Sequence, residues 1–293
     1  MKKALVTGGT GFIGSNLCRR LLNEGWKVFL ITKKEFGYDN VLDIKNKMDI
    51  YEYEDNFNEL MEYIKSIEVD VVFHLASTII TEHTPNDIHK ILQGNIVFGT
   101  EVLEAIKYSK TKLLVNTGTY WQHYNNEEYN PVDLYAATKE AFQNLIRYYT
   151  EAEELRCITL KLFDTYGEKD KRPKLINLLN KFADEGTELN MSPGEQILDL
   201  VHVDDIVEAY LVAYKNLIEN PDLKYKNYAV ASGDRYSLKE VIELFENLSG
   251  KKLNINWGGR EYRKREVMIP WDKYEILPNF KNKIKLEKGL EKF

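Results

Sequence analysis

Cys18 and Cys157 are the only cysteines in 293 residues, which excludes a disulfide framework; both are read as buried small hydrophobes. There is no Cys-x-x-Cys and no pair of histidines one helical turn apart, so no metal site is expected. Proline is scarce, with 7 residues, and no low-complexity linker or internal repeat divides the chain. No apolar run approaches the ~20 residues that a membrane-spanning helix needs. Met1-Lys2-Lys3 passes at once into an apolar stretch, and the protein is expected to be cytoplasmic. Positive charge is not in excess either: 40 Lys and Arg against 46 Asp and Glu leave a formal net charge of -6. No basic stripe is gathered anywhere, which argues against a nucleic-acid partner.

What the sequence does have is concentrated at its start. Leu5-Val-Thr-Gly-Gly-Thr-Gly-Phe-Ile-Gly14 turns an apolar run into a glycine-rich bend and then into a helix. Ala4, Leu5 and Val6 suit a buried parallel strand. Gly8, Gly9 and Gly11 let the backbone turn tightly and approach a ligand, and Gly14 lets the helix pack against the strand. A helix beginning near Gly11 aims free N–H groups and its positive dipole end at phosphates. This order of strand, turn and helix predicts a dinucleotide site involving Gly8, Thr10, Gly11, Phe12 and Ile13.

Strands and helices alternate along the rest of the chain, which predicts an α/β fold: a doubly wound parallel Rossmann sheet of six or seven strands with a smaller C-terminal lobe. The reading places a helix from Gly11 to Asn23, strands at Lys27–Ile31, Val69–Leu75, Lys112–Val115 and Cys157–Phe163, and a long helix at Tyr135–Glu154. Between Asn95 and Ile106 the helical spacing puts Ile96, Val97, Val102, Leu103 and Ile106 on the buried side. Residues 1–165, with 199–231 returning to them, are expected to form the dinucleotide-binding domain, and 166–198 with 232–293 the substrate lobe, where Gly and Pro cluster.

A second constellation is Tyr135-Ala-Ala-Thr-Lys139. Four residues apart on a helix, the two side chains share a face, so an ammonium near the phenol is expected to favour its ionised form and bring the pKa toward the working range of a proton donor.

These motifs, together with His74-Leu75-Ala76, Asn95-Ile-Val-Phe-Gly99-Thr100 and Leu200-Val-His-Val-Asp-Asp205, occur in the order found in extended short-chain dehydrogenases/reductases. The resemblance covers nearly the whole chain. It implies that Tyr135 and Lys139 are catalytic, that Lys139 also grips the nicotinamide ribose, and that Leu75 and Ala76 lie at the cofactor. It also implies a hydroxyl at the end of the fifth strand that bonds the reacting oxygen: Thr119, with Thr117 as the alternative. Asn95 and His74 are read as structural. Members of this family often dimerise through the helix bearing Tyr and Lys, and Phe142, Leu145, Ile146 and Tyr149 suit either an apolar face of a homodimer or the buried core of a monomer.

Departures from the family pattern narrow the chemistry. Where members preferring NAD carry an acidic residue after the second strand, this chain has Thr32-Lys33-Lys34, which suits the 2′-phosphate of NADP(H) better than NAD(H). Sugar-nucleotide dehydratases of the family place Asp-Glu after the catalytic Thr, whereas Tyr120-Trp-Gln-His123 stands here; His123 is the one base in that run. The segments Thr117–Tyr124, Leu160–Gly167 and Ser192–Gln196 resemble the CDP-paratose/CDP-abequose synthase group of 4-ketoreductases. That resemblance implies NADPH-dependent reduction of the C4 ketone of a nucleotide-linked deoxysugar. Asp164 stands where the family usually has Asn, and Leu198 where it has a phosphate-binding Arg, so Lys174, Arg260, Arg263 and Arg265 are the candidate cations for the diphosphate. The alternatives are a sugar-nucleotide 4-epimerase with retained NAD and a catalytically idle dinucleotide-binding regulator.

Overall fold

The computed structural model describes residues 1–293. In chain order it contains β1 (Lys3–Thr7), α1 (Phe12–Asn23), β2 (Lys27–Thr32), β3 (Asp49–Glu52), α2 (Phe57–Ile67), β4 (Val71–His74), α3 (Ile88–Leu92), α4 (Phe98–Lys107), β5 (Leu113–Thr119), α5 (Leu134–Ala152) and β6 (Arg156–Leu162). There follow β7 (Asp164–Tyr166), α6 (Leu175–Glu185), β8 (Glu188–Met191), β9 (Ile197–His202), α7 (Val203–Glu219), β10 (Tyr225–Val230), β11 (Arg235–Ser237), α8 (Leu238–Ser249), β12 (Asn254–Trp257) and α9 (Leu286–Leu290).

Seven parallel strands in the order β10-β6-β5-β4-β1-β2-β3 form the main sheet. Its central strands are buried on both faces: Ala4, Leu5, Val6, Val71, Val72 and Phe73 are all fully inaccessible. That is why they read as unbroken apolar runs and not as alternating ones. One face is covered by α1 and α7 through Leu17, Leu21, Ile206, Tyr210 and Ala213, the other by α2, α4 and α5 through Leu60, Ile64, Val102, Ile106, Phe142 and Ile146. Gly99 makes the contact between α4 and α5 possible, because a Cβ there would stand 2.5 Å from the Phe142 ring. The chain winds outward in opposite directions from the β1–β4 boundary, which is the switch point where doubly wound sheets open a crevice.

A three-stranded sheet (β11-β9-β7) and a two-stranded one (β12-β8) lie outside this frame, with their own core of Leu179, Val241, Ile242 and Phe245. Trp271, Leu277 and Phe280, from the segment before α9, pack back on the α1–α7 face of the main sheet. No helix is long and apolar enough to cross a membrane.

Several expectations change. The helix anticipated from Asn95 begins at Ile88 and passes through a π-helical turn at Gln93–Val97. The extra residue in that turn rotates Val97 to the surface, 39% exposed, while Asn95 points inward at 2%. Phe142, Ile146 and Tyr149 are buried in this chain's own core, and Leu145 is partly covered against it, so they do not form a free dimer face.

Candidate functional site

A cavity of about 550 Å³ opens at the carboxyl ends of the central strands. At one end is the turn between β1 and α1. Gly8 has φ +72°, and a Cβ on it would stand 2.6 Å from the Ala76 amide; a Cβ on Gly14 would stand 2.3 Å from the Gly8 carbonyl. Backbone has thus approached backbone as closely as it can, which only glycine permits. Gly11 caps α1 without a side-chain bond, and the first turn carries no acidic residue, so its N–H groups and dipole remain available to an anion. The residues present fit a dinucleotide: Gly8, Thr10, Gly11, Phe12, Ile13, Thr32, Lys33, Leu75 and Ala76 line the cavity.

Lys34 does not line it and instead opens a 3₁₀ turn, so only one of the two adjacent lysines faces the crevice. Lys33 is tied to Asp55 at 2.6 and 2.8 Å, and Glu35 also reaches the cavity wall. Thr32 is buried with its hydroxyl 3.5 Å from that of Thr10.

The loop after β4, which forms the floor, is fixed by two buried groups. Asn95 accepts from the Thr78 amide at 2.7 Å and the Ser77 hydroxyl at 3.0 Å, and donates to the Thr78 carbonyl at 3.0 Å and to Thr138 of α5 at 2.9 Å. His74 pairs with the Thr7 hydroxyl at 2.9 Å; burial pushes its pKa down to about 3, so it stays neutral and structural.

At the other end, Asp133 caps α5 by accepting from the Ala136 amide at 2.7 Å, which sets Tyr135 in the first turn and Lys139 one turn later. Both are almost fully buried and both line the cavity. The electrostatics differ from the expectation. Burial and the neighbouring Asp133 push the Tyr135 phenol up; the Ser77 hydroxyl and the Arg172 charge pull it down, and Lys139 does not contribute. Lys139 is itself lowered to about 8 by burial.

Thr117 and Thr119 both reach the cavity from the end of β5. The Thr117 hydroxyl donates to the His74 carbonyl at 2.8 Å and is met by the Tyr210 hydroxyl at 2.6 Å. The Thr119 hydroxyl accepts from the Trp121 amide at 3.3 Å and keeps its proton free. Its backbone is held by Gln122, whose side chain accepts from the Thr119 amide at 3.0 Å and also bonds Glu140 of α5.

Asp164 and Lys174 line the cavity, Asp164 accepting from the Tyr120 hydroxyl at 2.8 Å. Arg260, Arg263 and Arg265 do not line it. Arg263 pairs with Glu82 at 3.3 Å, and Arg265 lies over the Tyr124 ring at 4.2 Å. His123 is turned away: it stacks on Trp271 with ring centroids 3.8 Å apart and meets Lys161 at 2.6 Å behind the site, so it is not a base for the cavity. Cys157 is fully buried with its thiol pushed up to about 12, and is inert. Sequence reasoning missed Ser77, Lys90 and Arg172, which also line the cavity. Ser77 directly follows the His74-Leu75-Ala76 motif, whereas Lys90 and Arg172 belong to segments with no motif of their own.

A switch-point crevice, a glycine cradle and a buried Tyr–Lys pair define an NAD(P)-dependent enzyme of the extended short-chain dehydrogenase/reductase type. The comparisons agree, and the chain belongs to the NAD dependent epimerase/dehydratase family, whose profile matches residues 4–230. It is 27% identical over 284 residues to CDP-abequose synthase of Yersinia pseudotuberculosis, covering 97% of this chain and 96% of that one. Among solved structures it resembles UDP-glucose 4-epimerase of Thermotoga maritima with UDP-glucose, at TM-score 0.85, 22% identity and coverage of 99% and 96%. It also resembles UDP-glucuronic acid 4-epimerase of Bacillus cereus with UDP-glucuronic acid and NAD, at TM-score 0.84, 22% identity and coverage of 99% and 96%.

Proposed function

We propose that the protein reduces the C4 ketone of a nucleotide-activated deoxysugar, a CDP-4-keto-3,6-dideoxyhexose, with NADPH. The observation that carries the reading is the acid inventory of the cavity. Its only acidic lining residues are Glu35, at the Thr32–Lys33 end, and Asp164, which is engaged by Tyr120. Losing water from a sugar requires a further acid–base pair near the reacting carbons. Reducing a ketone requires one proton donor, and Tyr135 supplies it.

The reduced nicotinamide, when bound, supplies the hydride. Tyr135 protonates the carbonyl oxygen, and Thr119 donates its free hydrogen to the same oxygen and orients it. Lys139, buried one helical turn from Tyr135, would hold the cofactor ribose. Lys174 and Asp164 meet the substrate. For the cofactor's 2′-phosphate we propose Lys33 and the uncharged Thr32, where an acidic residue would repel it. The similarity to CDP-abequose synthase over nearly the full length supports the substrate class.

A second reading, a sugar-nucleotide 4-epimerase, is favoured by the fold likeness to two such enzymes. Cofactor content separates the two. A reductase purifies without stoichiometric dinucleotide and consumes NADPH, whereas an epimerase retains NAD and consumes none. In a thermal-shift panel of CDP, UDP, GDP and dTDP, CDP is expected to raise the melting temperature most. Equal shifts would contradict the base assignment.

A further inference from the structure

Between β7 and α6 the chain crosses the mouth of the cavity, and one side chain on this crossing is held more firmly than a surface arginine needs to be. The Arg172 guanidinium lies over the ring of Phe12, 4.8 Å from its centroid. Asp170 grips it in a two-pronged bond, taking Nε at 2.8 Å and Nη2 at 2.7 Å. The Asp170 side chain is 2% exposed and that of Arg172 33%, so the anchor is buried while the cation remains open to the cavity it lines. The backbone is fixed as well: the Arg172 carbonyl accepts from the Asn177 side chain at 2.9 Å and from the Lys174 amide at 2.7 Å. Arg172 Nη1 takes part in none of these bonds.

A guanidinium ordered in this way has already lost the rotamer freedom that binding an anion would otherwise cost, and it presents a fixed edge of donors. Its position says which anion. Phe12 is the first residue of α1, whose amino end has neither a side-chain cap nor an acidic residue. A cation perched on Phe12 and a helix amino end beside it both favour negative charge in the same space.

We propose that Arg172 binds a diphosphate through Nη1, namely the pyrophosphate of the nicotinamide dinucleotide seated on the first turn of α1. The inference rests on the reading of the cavity as a dinucleotide site. It makes the crossing from β7 to α6 a strap over the cofactor, tied down by Asp170. A nucleoside diphosphate on the substrate side offers the same chemistry, so the two sources are titrated separately.

The test is equilibrium titration of NADPH, by its fluorescence, and of CDP, by calorimetry, against the wild type and the variants Arg172→Met, Arg172→Lys and Asp170→Asn, with circular dichroism and melting to verify folding. Loss of a charge-assisted bond predicts NADPH binding weakened about tenfold or more in Arg172→Met. Arg172→Lys and Asp170→Asn should fall between it and the wild type, because one keeps the charge without the fork and the other keeps the fork without its anchor. CDP affinity should stay the same throughout. Unchanged NADPH affinity in Arg172→Met, or a loss confined to CDP, would overturn the proposal. If the Met variant does not fold, the Lys and Asn variants decide by the same comparison. A wild-type protein that binds neither NADPH nor NADH would instead remove the cofactor reading beneath it.

Discussion

Tyr135 keeps its proton at any working pH, because burial and Asp133 hold the phenol above its ordinary range. A phenol that stays protonated until the carbonyl oxygen draws on it is a donor and not a base, as ketone reduction requires. Tyr135→Phe is therefore expected to lower turnover by about 10²- to 10⁴-fold and to leave NADPH binding intact, which paired kinetics and fluorescence titration will show. Near-normal turnover would remove Tyr135 from the mechanism. Cofactor choice is also decided at single residues. Lys33→Ala should weaken NADPH by ~1–3 kcal/mol with little change for NADH, and Lys34→Ala, outside the cavity, should change neither. Asp55 competes with any phosphate for Lys33, so Asp55→Asn should tighten NADPH binding selectively. Equal effects on both dinucleotides would show that Lys33 only braces the loop.

Among the elements, the β1–α1 turn and the loop after β4 are built with no slack. Gly14→Ala would push a Cβ to within 2.3 Å of the Gly8 carbonyl, and overpacking at such a site costs ~1–3 kcal/mol or more. A lowered melting midpoint with cofactor affinity reduced beyond it is the expected result. Asn95→Leu would strand the Thr78 amide and carbonyl, at ~1–3 kcal/mol for each group left unpaired. The loop at Leu75–Thr78 should then exchange its amide hydrogens faster than in the wild type, and unchanged exchange would mean that Asn95 is not its anchor. These motifs were legible in the sequence because each encodes a steric or hydrogen-bonding demand at a fixed spacing. The π turn at Gln93–Val97 was not, since one inserted residue leaves the apolar count almost unchanged while rotating Val97 outward. The face of α5 stayed open between two readings for a related reason: Phe142 and Ile146 look the same in sequence whether they meet a second subunit or this chain's own sheet.

At the scale of the whole molecule, the main sheet could be read from its apolar runs and Lys33, Lys139 and Lys174 from their motifs and neighbours, but Lys90 and Arg172, which also line the cavity, could not. Arg260, Arg263 and Arg265 share a basic stretch yet fold away from the cavity, whereas Arg172 reaches it from a loop whose course depends on β7 and α6. Two buried lysines also tie stability to pH. Lys139 and Lys161 are each lowered from 10.5 to about 8 by burial. Between pH 8 and 10.5 the unfolded chain therefore binds more protons than the folded one, so these groups make stability rise with pH across that window and contribute no slope below it. In Lys161→Met the slope of unfolding free energy against pH should be smaller than in the wild type between those limits; parallel slopes would contradict the lowered value. The central claim, reduction at C4, is tested most directly by incubating the purified protein with CDP-4-keto-3,6-dideoxyhexose and NADPH and following NADPH absorbance. The account predicts NADPH consumption matched mole for mole by a 4-hydroxy product, and no loss of water from CDP-glucose. Interconversion of a 4-hydroxy sugar nucleotide without NADPH consumption, or dehydration of CDP-glucose, would contradict it.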